Sequence, residues 1–269
     1  MGVADATTTN GPSKSSSVLS TLSITPALPP VLTPSFSLLA LPRPTPAILH
    51  SDIASGNVVG AIAATATAAA SAALAAARSE TRAKALRKVR AGASGTYIGE
   101  ILAERDSSIA RWATRRRVPL TVWIQPKSNV ADFAPAYVDQ VRQAFEAWDA
   151  LDLPVRFTFV RDSTRAEVHV KWIDRFTAPI SGRTRWSRDD DWVITDADIT
   201  LAMHHNNGEL LDESSMHAMA LHEIGHLLGL DHTRDTMSVM APKVRVRELS
   251  AADRATVRLI YALPAGPLR

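Results

Sequence analysis

Between positions 220 and 242 the chain reads ALHEIGHLLGLDHTRDTMSVMAP, which sets three histidines, a glutamate, a glycine and a methionine at fixed intervals. His222 and His226 are four apart, so on a helix they project from one face, one turn apart. Two imidazoles placed in this way can bind one zinc ion through ring nitrogens at about 2.0–2.1 Å. Glu223 stands beside the first, able to reach a water on that metal without ligating it. This is the H-E-x-x-H arrangement, with the glutamate as general base. A third donor, His232, cannot come from the same straight helix, because six residues past His226 it would lie about 9 Å along the axis and about 240° around it. The helix therefore has to break, and Gly229 sits where the break is needed, since glycine adopts the left-handed conformation that turns a helix C-terminus. Three neutral donors with a fourth position open to water are the form of a catalytic zinc site rather than a closed structural one. The competing account is an amphipathic helix that happens to carry histidines. H-E-x-x-H alone leaves that account standing; Gly229 and His232 at these intervals displace it.

The elements that must hold such a site are legible from their periods. PLTVWIQ sets Leu120, Val122 and Ile124 against Thr121, Trp123 and Gln125, the pattern of a half-buried strand. PVRFTFV and AEVHVKW alternate in the same way. ISGRTRW and WVITDADITLAM give a fourth and a fifth strand, separated by the acidic turn 189–191. DFAPAYVDQVRQAFEAWDAL repeats at helical spacing through Tyr137, Val138, Val141, Phe145 and Trp148, with Pro135 suited to a first turn. A helix around the histidines follows. The last begins at LSAADRATVRLIYAL, where Ser250 and Asp253 form a capping-box-like pair. The order of strand, long helix, strands, helix, turn and helix predicts an α/β sheet with few helices. The triple arginine 115–117 reads as a solvated basic patch ahead of the first strand.

The globular pattern starts near Thr96, which places a domain at 96–269. Residues 1–57 are rich in Ser, Thr and Pro, and runs such as TPALPPVLTPSF follow neither period, so this region reads as disordered or linker-like. Residues 58–95 open with VVGAIAATATAAASAALAAA, a charge-free run long enough on paper to cross a bilayer. Alanine and threonine add little hydrophobic drive, and Arg78, Arg82, Lys84, Arg87, Lys88 and Arg90 follow directly. Two readings stand side by side: a membrane or export segment, or an Ala-rich helix or flexible stretch. There is no clear N-terminal signal peptide, which would need basic residues in front of its apolar run. The count of 30 basic against 27 acidic residues gives a net charge of +3, too small a surplus to argue for a nucleic-acid partner. The sequence contains no cysteine, which removes disulfides, thiolate ligands and a cysteine nucleophile together and leaves the compartment open.

HEIGHLLGLDH resembles the extended zinc signature of the metzincins, H-E-x-x-H-x-x-G-x-x-H followed by a Met-turn, and within that clan it most resembles the matrixins, the matrix-metalloproteinase-like peptidases. Their pattern continues with a serine after the third histidine and a Met-x-Pro several residues later. Here Thr233 stands for the serine, and Met240, Ala241 and Pro242 match the Met-turn better than Met237, which lacks the proline. The resemblance covers roughly 118–263. It implies a zincin-like α+β fold, with a twisted five-stranded mixed sheet and three main helices. It also implies a monomeric zinc endopeptidase acting on peptide or protein substrates, with His222, His226 and His232 on zinc, Glu223 as general base and Met240 as an apolar floor. Gly182, Arg183, Thr184, Arg185 and Trp186 fall where the family has its edge strand, which pairs with extended peptide, and the segment after Pro242 walls a side-chain pocket. The basic residues Lys243, Arg245 and Arg247 near that wall would suit acidic or polar side chains. A secreted or cell-envelope location goes with the family. Two rivals are a zinc-fold binding module without turnover and a metallohydrolase acting on something other than peptides. The departures also matter. Latency through a cysteine is impossible, and the family's histidine-rich structural zinc loop is not recognisable between Lys171 and Asp198. Asp189, Asp190, Asp191, Asp196 and Asp198 present calcium-type oxygen donors or a solvated acidic turn. His204, His205 and His217 read as packed or exposed residues rather than further ligands. The Met-turn has no tyrosine counterpart.

Overall fold

The structure is a computed structural model that describes residues 56–269, with side chains from residue 67 onward. The Ser/Thr/Pro-rich stretch read from the sequence falls almost wholly outside the described residues. The five strands expected from alternation are present as β3 (Arg115–Ile124), β4 (Val155–Phe159), β5 (Val168–Ile173), β6 (Gly182–Arg188) and β7 (Val193–Ala202). They lie in the order β6, β7, β5, β3, β4, all parallel except β6, which runs antiparallel along β7 and pairs only with it among the described strands. The alternation does what the physics requires of it. Leu120, Val122, Val168, Val170, Ile199 and Leu201 are buried, while Thr121, His169 and Thr200 between them are not.

The apolar face of the sheet is covered by α3 (Pro135–Asp149) and α4 (Glu213–Leu227), which pack against each other. Pro135 opens α3 at a position where its missing N–H costs nothing, and Tyr137, Val141, Ala144, Phe145 and Trp148 form its buried stripe. Trp148 Nε1 donates to Leu221 O of α4 at 3.0 Å, so the indole is satisfied as well as packed. After β7, α4 begins on Asp212, whose carboxylate accepts Ser215 N–H. The last helix, α5 (Ala251–Ala262), carries the capping box expected of Ser250 and Asp253, worth roughly 1 kcal/mol.

Several features extend the expected plan. A two-residue strand, β2 (Arg111–Trp112), adds to the beginning of β7, and β1 (Ser108–Ile109) pairs with β8 (Gly266–Pro267) in a separate ribbon. Segments this short have no period to read. The arginines 115–117 belong to β3 rather than preceding it. Arg115 is ion-paired with Glu167 and Arg116 reaches Asp152 at 3.1 Å, so acidic partners beside the strand accommodate the charges. A seven-residue helix, α2 (Ile98–Glu104), lies upstream of the sheet and contacts α5.

Residues 56–92 form one helix, α1 (Gly56–Gly92). Among the described residues no helix is long and apolar enough to cross a membrane. Most of α1 from residue 67 is exposed, but its C-terminal part packs on α5. Ala85 is buried, Lys88 Nζ donates to Ala262 O at 3.0 Å, and Gly92 abuts Leu259.

Candidate metal centre

Helix α4 delivers His222, Glu223 and His226 on one buried face, then stops in a turn that brings His232 back. The stop is a complete Schellman motif. Gly229 N–H bonds His226 O at 3.0 Å and Leu230 N–H bonds Gly225 O at 2.9 Å, around Gly229 at φ +95°. A Cβ at Gly229 would also lie 2.2 Å from Ala110 O, so this glycine is required twice, for conformation and for space.

The three rings meet through one nitrogen each. Nε2 of His222 and His226 are 3.1 Å apart, and Nε2 of His232 is 3.3 Å from both. Three nitrogens at about 2.0–2.1 Å from one tetrahedral zinc stand about 3.3–3.4 Å from one another, so the triangle fits the ion. The remaining nitrogens fix the tautomers: His222 Nδ1 donates to Val239 O at 2.6 Å and His226 Nδ1 to Leu230 O at 3.1 Å. Their Nε2 atoms therefore present lone pairs to each other, an arrangement that a cation relieves. Burial holds all three rings below the ordinary histidine range: His222 falls to about 4, and His226 lies well below that range, its two neighbouring rings adding to its burial. Neutral imidazole is the ligating form. Among the described residues these three are the group of ligand-type side chains close enough to hold one ion.

Glu223 is buried beside them, and burial pushes its carboxyl up to about 7 against the downward pull of the Thr184 hydrogen bond and the Arg183 charge. Thr184 Oγ1 donates to Glu223 Oε2 at 2.6 Å, from the edge strand β6. On the same strand, a Cβ at Gly182 would come within 2.3 Å of Glu223 Oε1, so the bare backbone there leaves room for the second oxygen. Beneath the histidines Met240 is fully buried, and its sulfur reaches α4 because Gly225 has no side chain; a Cβ there would stand 2.3 Å from Sδ. The Met240 turn is tied to α5 by the buried carboxylate of Asp253. It accepts Ser238 O–H, Val239 N–H at 3.2 Å, Ser250 N–H at 2.8 Å and Tyr97 O–H at 3.0 Å. Through Val239, whose carbonyl holds His222, this carboxylate bears on the site itself.

The other residues singled out in the sequence separate into two groups. Thr184 and Gly182 reach the site, and Trp186 lies farther along the same strand under the Arg105 guanidinium at 5.5 Å. Arg183 and Arg185 alternate to the opposite face, where Arg183 covers Phe176 at 4.9 Å and both border a depression with Lys171 and Asp198. Pro242 is exposed just past the Met240 turn. Three of the five aspartates are engaged with protein groups: Asp198 with Lys171 at 2.7 Å, Asp196 with Ser187 and Thr195, and Asp189 with the N–H groups of Asp191 and Val193. Sequence reasoning missed Gly225, whose bare Cα is a packing requirement without any local signal. It also missed Thr184 as a partner of Glu223, because strand and helix are far apart in the chain.

A mostly parallel sheet with one antiparallel edge strand, set against a helix whose histidines meet a third across a glycine turn above a buried methionine, defines the metzincin class. Within it the chain belongs to the matrixin family, whose description matches residues 111–262, more than half of the sequence. It is 28% identical over 141 residues to Metalloendoproteinase 1-MMP of Arabidopsis thaliana, covering 45% of this chain and 36% of that protein. It is 32% identical over 90 residues to Metalloendoproteinase 1 of Glycine max, 32% of this chain and 27% of that one. With Matrix metalloproteinase-C of Caenorhabditis elegans it shares 39% identity over 66 residues, 24% of this chain and 10% of the other. The chain spans less than half the length of these curated relatives. Membership of the family implies zinc dependence.

Proposed function

We propose that this chain is a zinc-dependent endopeptidase, with the peptidase domain in residues 96–269, acting as a monomer on peptide or protein substrates. The observation that carries the proposal is the convergence of three Nε2 atoms within 3.3 Å of each other, directly beside a buried carboxylate. His222, His226 and His232 would hold the zinc, and bound zinc supplies Lewis acidity toward the scissile carbonyl and the attacking water. Glu223 takes the proton from that water and hands it to the leaving amine. Thr184 occupies Oε2 of that carboxylate, so Oε1, lying over Gly182, is the oxygen left for the proton. The substrate lies extended along the edge of β6 that no described strand pairs, where main-chain hydrogen bonds hold it regardless of sequence. Residues after Pro242 then wall the pocket for one side chain, and the basic residues there favour acidic or polar groups. An extracellular or cell-envelope location goes with the family and is tested by fractionating the source cells.

The test is digestion of a mixed peptide library by the full chain loaded with zinc, by the same protein stripped with a chelator, and by Glu223→Ala. Cleavage by the first alone supports the proposal. Cleavage unaffected by Glu223→Ala contradicts the assigned base, and zinc-loaded protein that releases no fragments contradicts the peptidase assignment.

A further inference from the structure

Residues 97–112 run alongside the turn that carries His232 and touch it through Glu100, Arg105, Ala110 and Trp112. Trp112 Nε1 donates to Leu227 O at 2.9 Å, closing an open carbonyl of the last turn of α4. Ala110 O packs where a Cβ of Gly229 would be. Arg105 spends its whole guanidinium on the turn: Nη1 donates to Gly229 O at 2.9 Å, Nη2 to Leu230 O at 3.2 Å, and Nε meets Asp231 Oδ2 at 2.6 Å. Glu100 then accepts Thr233 O–H at 3.1 Å and Arg234 N–H at 2.9 Å. Most of this segment lies outside the stretch matched to the family.

Leu230 O makes the arrangement more than a structural brace. The same carbonyl accepts the Nδ1–H of His226, so Arg105 fixes the atom that sets the orientation of one histidine. Its ion pair with Asp231 fixes the residue immediately before another. The Arg105 side chain is only slightly exposed, at 12%, and that of Asp231 at 17%, so solvent screens neither much. Planar, with donors on three nitrogens in a fixed fork, arginine matches two carbonyls and a carboxylate at once; lysine has no such geometry.

We infer that the segment 97–112 is a splint for the zinc site, with Arg105 a positioning residue for His226 and His232. The inference rests on the zinc reading given above. Partners that orient metal-binding imidazoles typically change metal affinity by about 10–100-fold when removed.

The experiment measures zinc affinity directly, by competition between the metal-free full chain and a chromophoric chelator at neutral pH. Arg105→Met and Arg105→Lys are compared with wild type and with Val155→Ala, a buried position on β4 at the far edge of the sheet. Circular dichroism establishes that each is folded. Arg105→Lys keeps a cation beside Asp231, so it supplies a folded variant even if Arg105→Met is unstable. The expected result is a loss of about tenfold or more in zinc affinity for both Arg105 variants, with Val155→Ala unchanged although destabilised. Arg105 variants that bind zinc as tightly as wild type overturn the inference, and so does an equal loss in Val155→Ala, which would make the effect one of general stability. Wild-type protein that binds no zinc is a separate outcome: it removes the zinc reading and the splint with it.

Discussion

Two groups of histidines lie within thirty positions of each other, and their surroundings differ. In the first group, His204, His205 and His217, only His204 has both ring nitrogens engaged; His205 and His217 each bond through Nδ1 and, among the described residues, do not meet another ligand-type side chain at Nε2. His204 lies between Asp174 on Nδ1 at 2.8 Å and Asp132 on Nε2 at 3.1 Å, His205 meets Ser181 Oγ, and His217 meets Gln140 O. His222 and His226 also give Nδ1 to backbone carbonyls, but their Nε2 atoms face each other and His232. The count of histidines is the same; what differs is where the unengaged nitrogens point, since only in the second group do they converge. In the first group His204 ties the loop after β5 and the loop after β3 to the strand end while His217 joins α4 to α3, and in the second the rings enclose a single point.

The contrast can be broken or sharpened by substitution. The largest effects belong to the second group. Glu223→Ala should lower kcat by about 10³-fold while zinc stays bound, because general base catalysis is lost and no ligand is touched. His232→Ala should abolish stoichiometric zinc binding. Parallel turnover and metal analysis check both, and an active Glu223→Ala protein would end the assignment of the base. Gly229→Ala comes next. A side chain at φ +95° pressed against Ala110 O should cost at least about 2 kcal/mol in stability and weaken zinc binding, read by thermal unfolding and chelator competition. Thr184→Val should lower kcat by about tenfold with KM little changed, the worth of one hydrogen bond to a carboxylate, and Thr184→Ser should restore it. The smallest effect marks the contrast itself. His204→Ala should cost about 1–2 kcal/mol of stability and leave zinc affinity at the wild-type value. A zinc defect there would show that the two groups are not separate.

Acid should act on the second group too. In the metal-free protein the three rings are held below the ordinary 6.5, His222 at about 4, so the unfolded chain binds their protons first as pH falls. Their contribution to stability is present above 6.5 and is lost as pH drops toward 4. Glu223, raised to about 7, works in the opposite sense but is one group against three. The thermal midpoint of the metal-free protein should therefore decline through this range, and a midpoint that rises on acidification would contradict the burial of neutral rings.

Much of this was legible because its physics is local. The helical period of 135–149, the capping box at Ser250 and Asp253, and the need for a glycine between His226 and His232 all concern residues a few positions apart. What escaped the sequence joins distant parts of the chain. Arg105 meets a turn 124 residues away, Thr184 meets Glu223 across a strand–helix contact, and Gly225 is required only because Met240 folds beneath it. The two-residue strands were invisible for the opposite reason, having too few residues to show a period.

X-ray absorption at the zinc edge of the reconstituted full chain bears most directly on the site. One zinc per chain with three imidazole nitrogens at about 2.0–2.1 Å and one further light-atom ligand is the predicted result. Protein that retains no zinc after reconstitution, or zinc ligated by fewer than three imidazoles, would contradict the account.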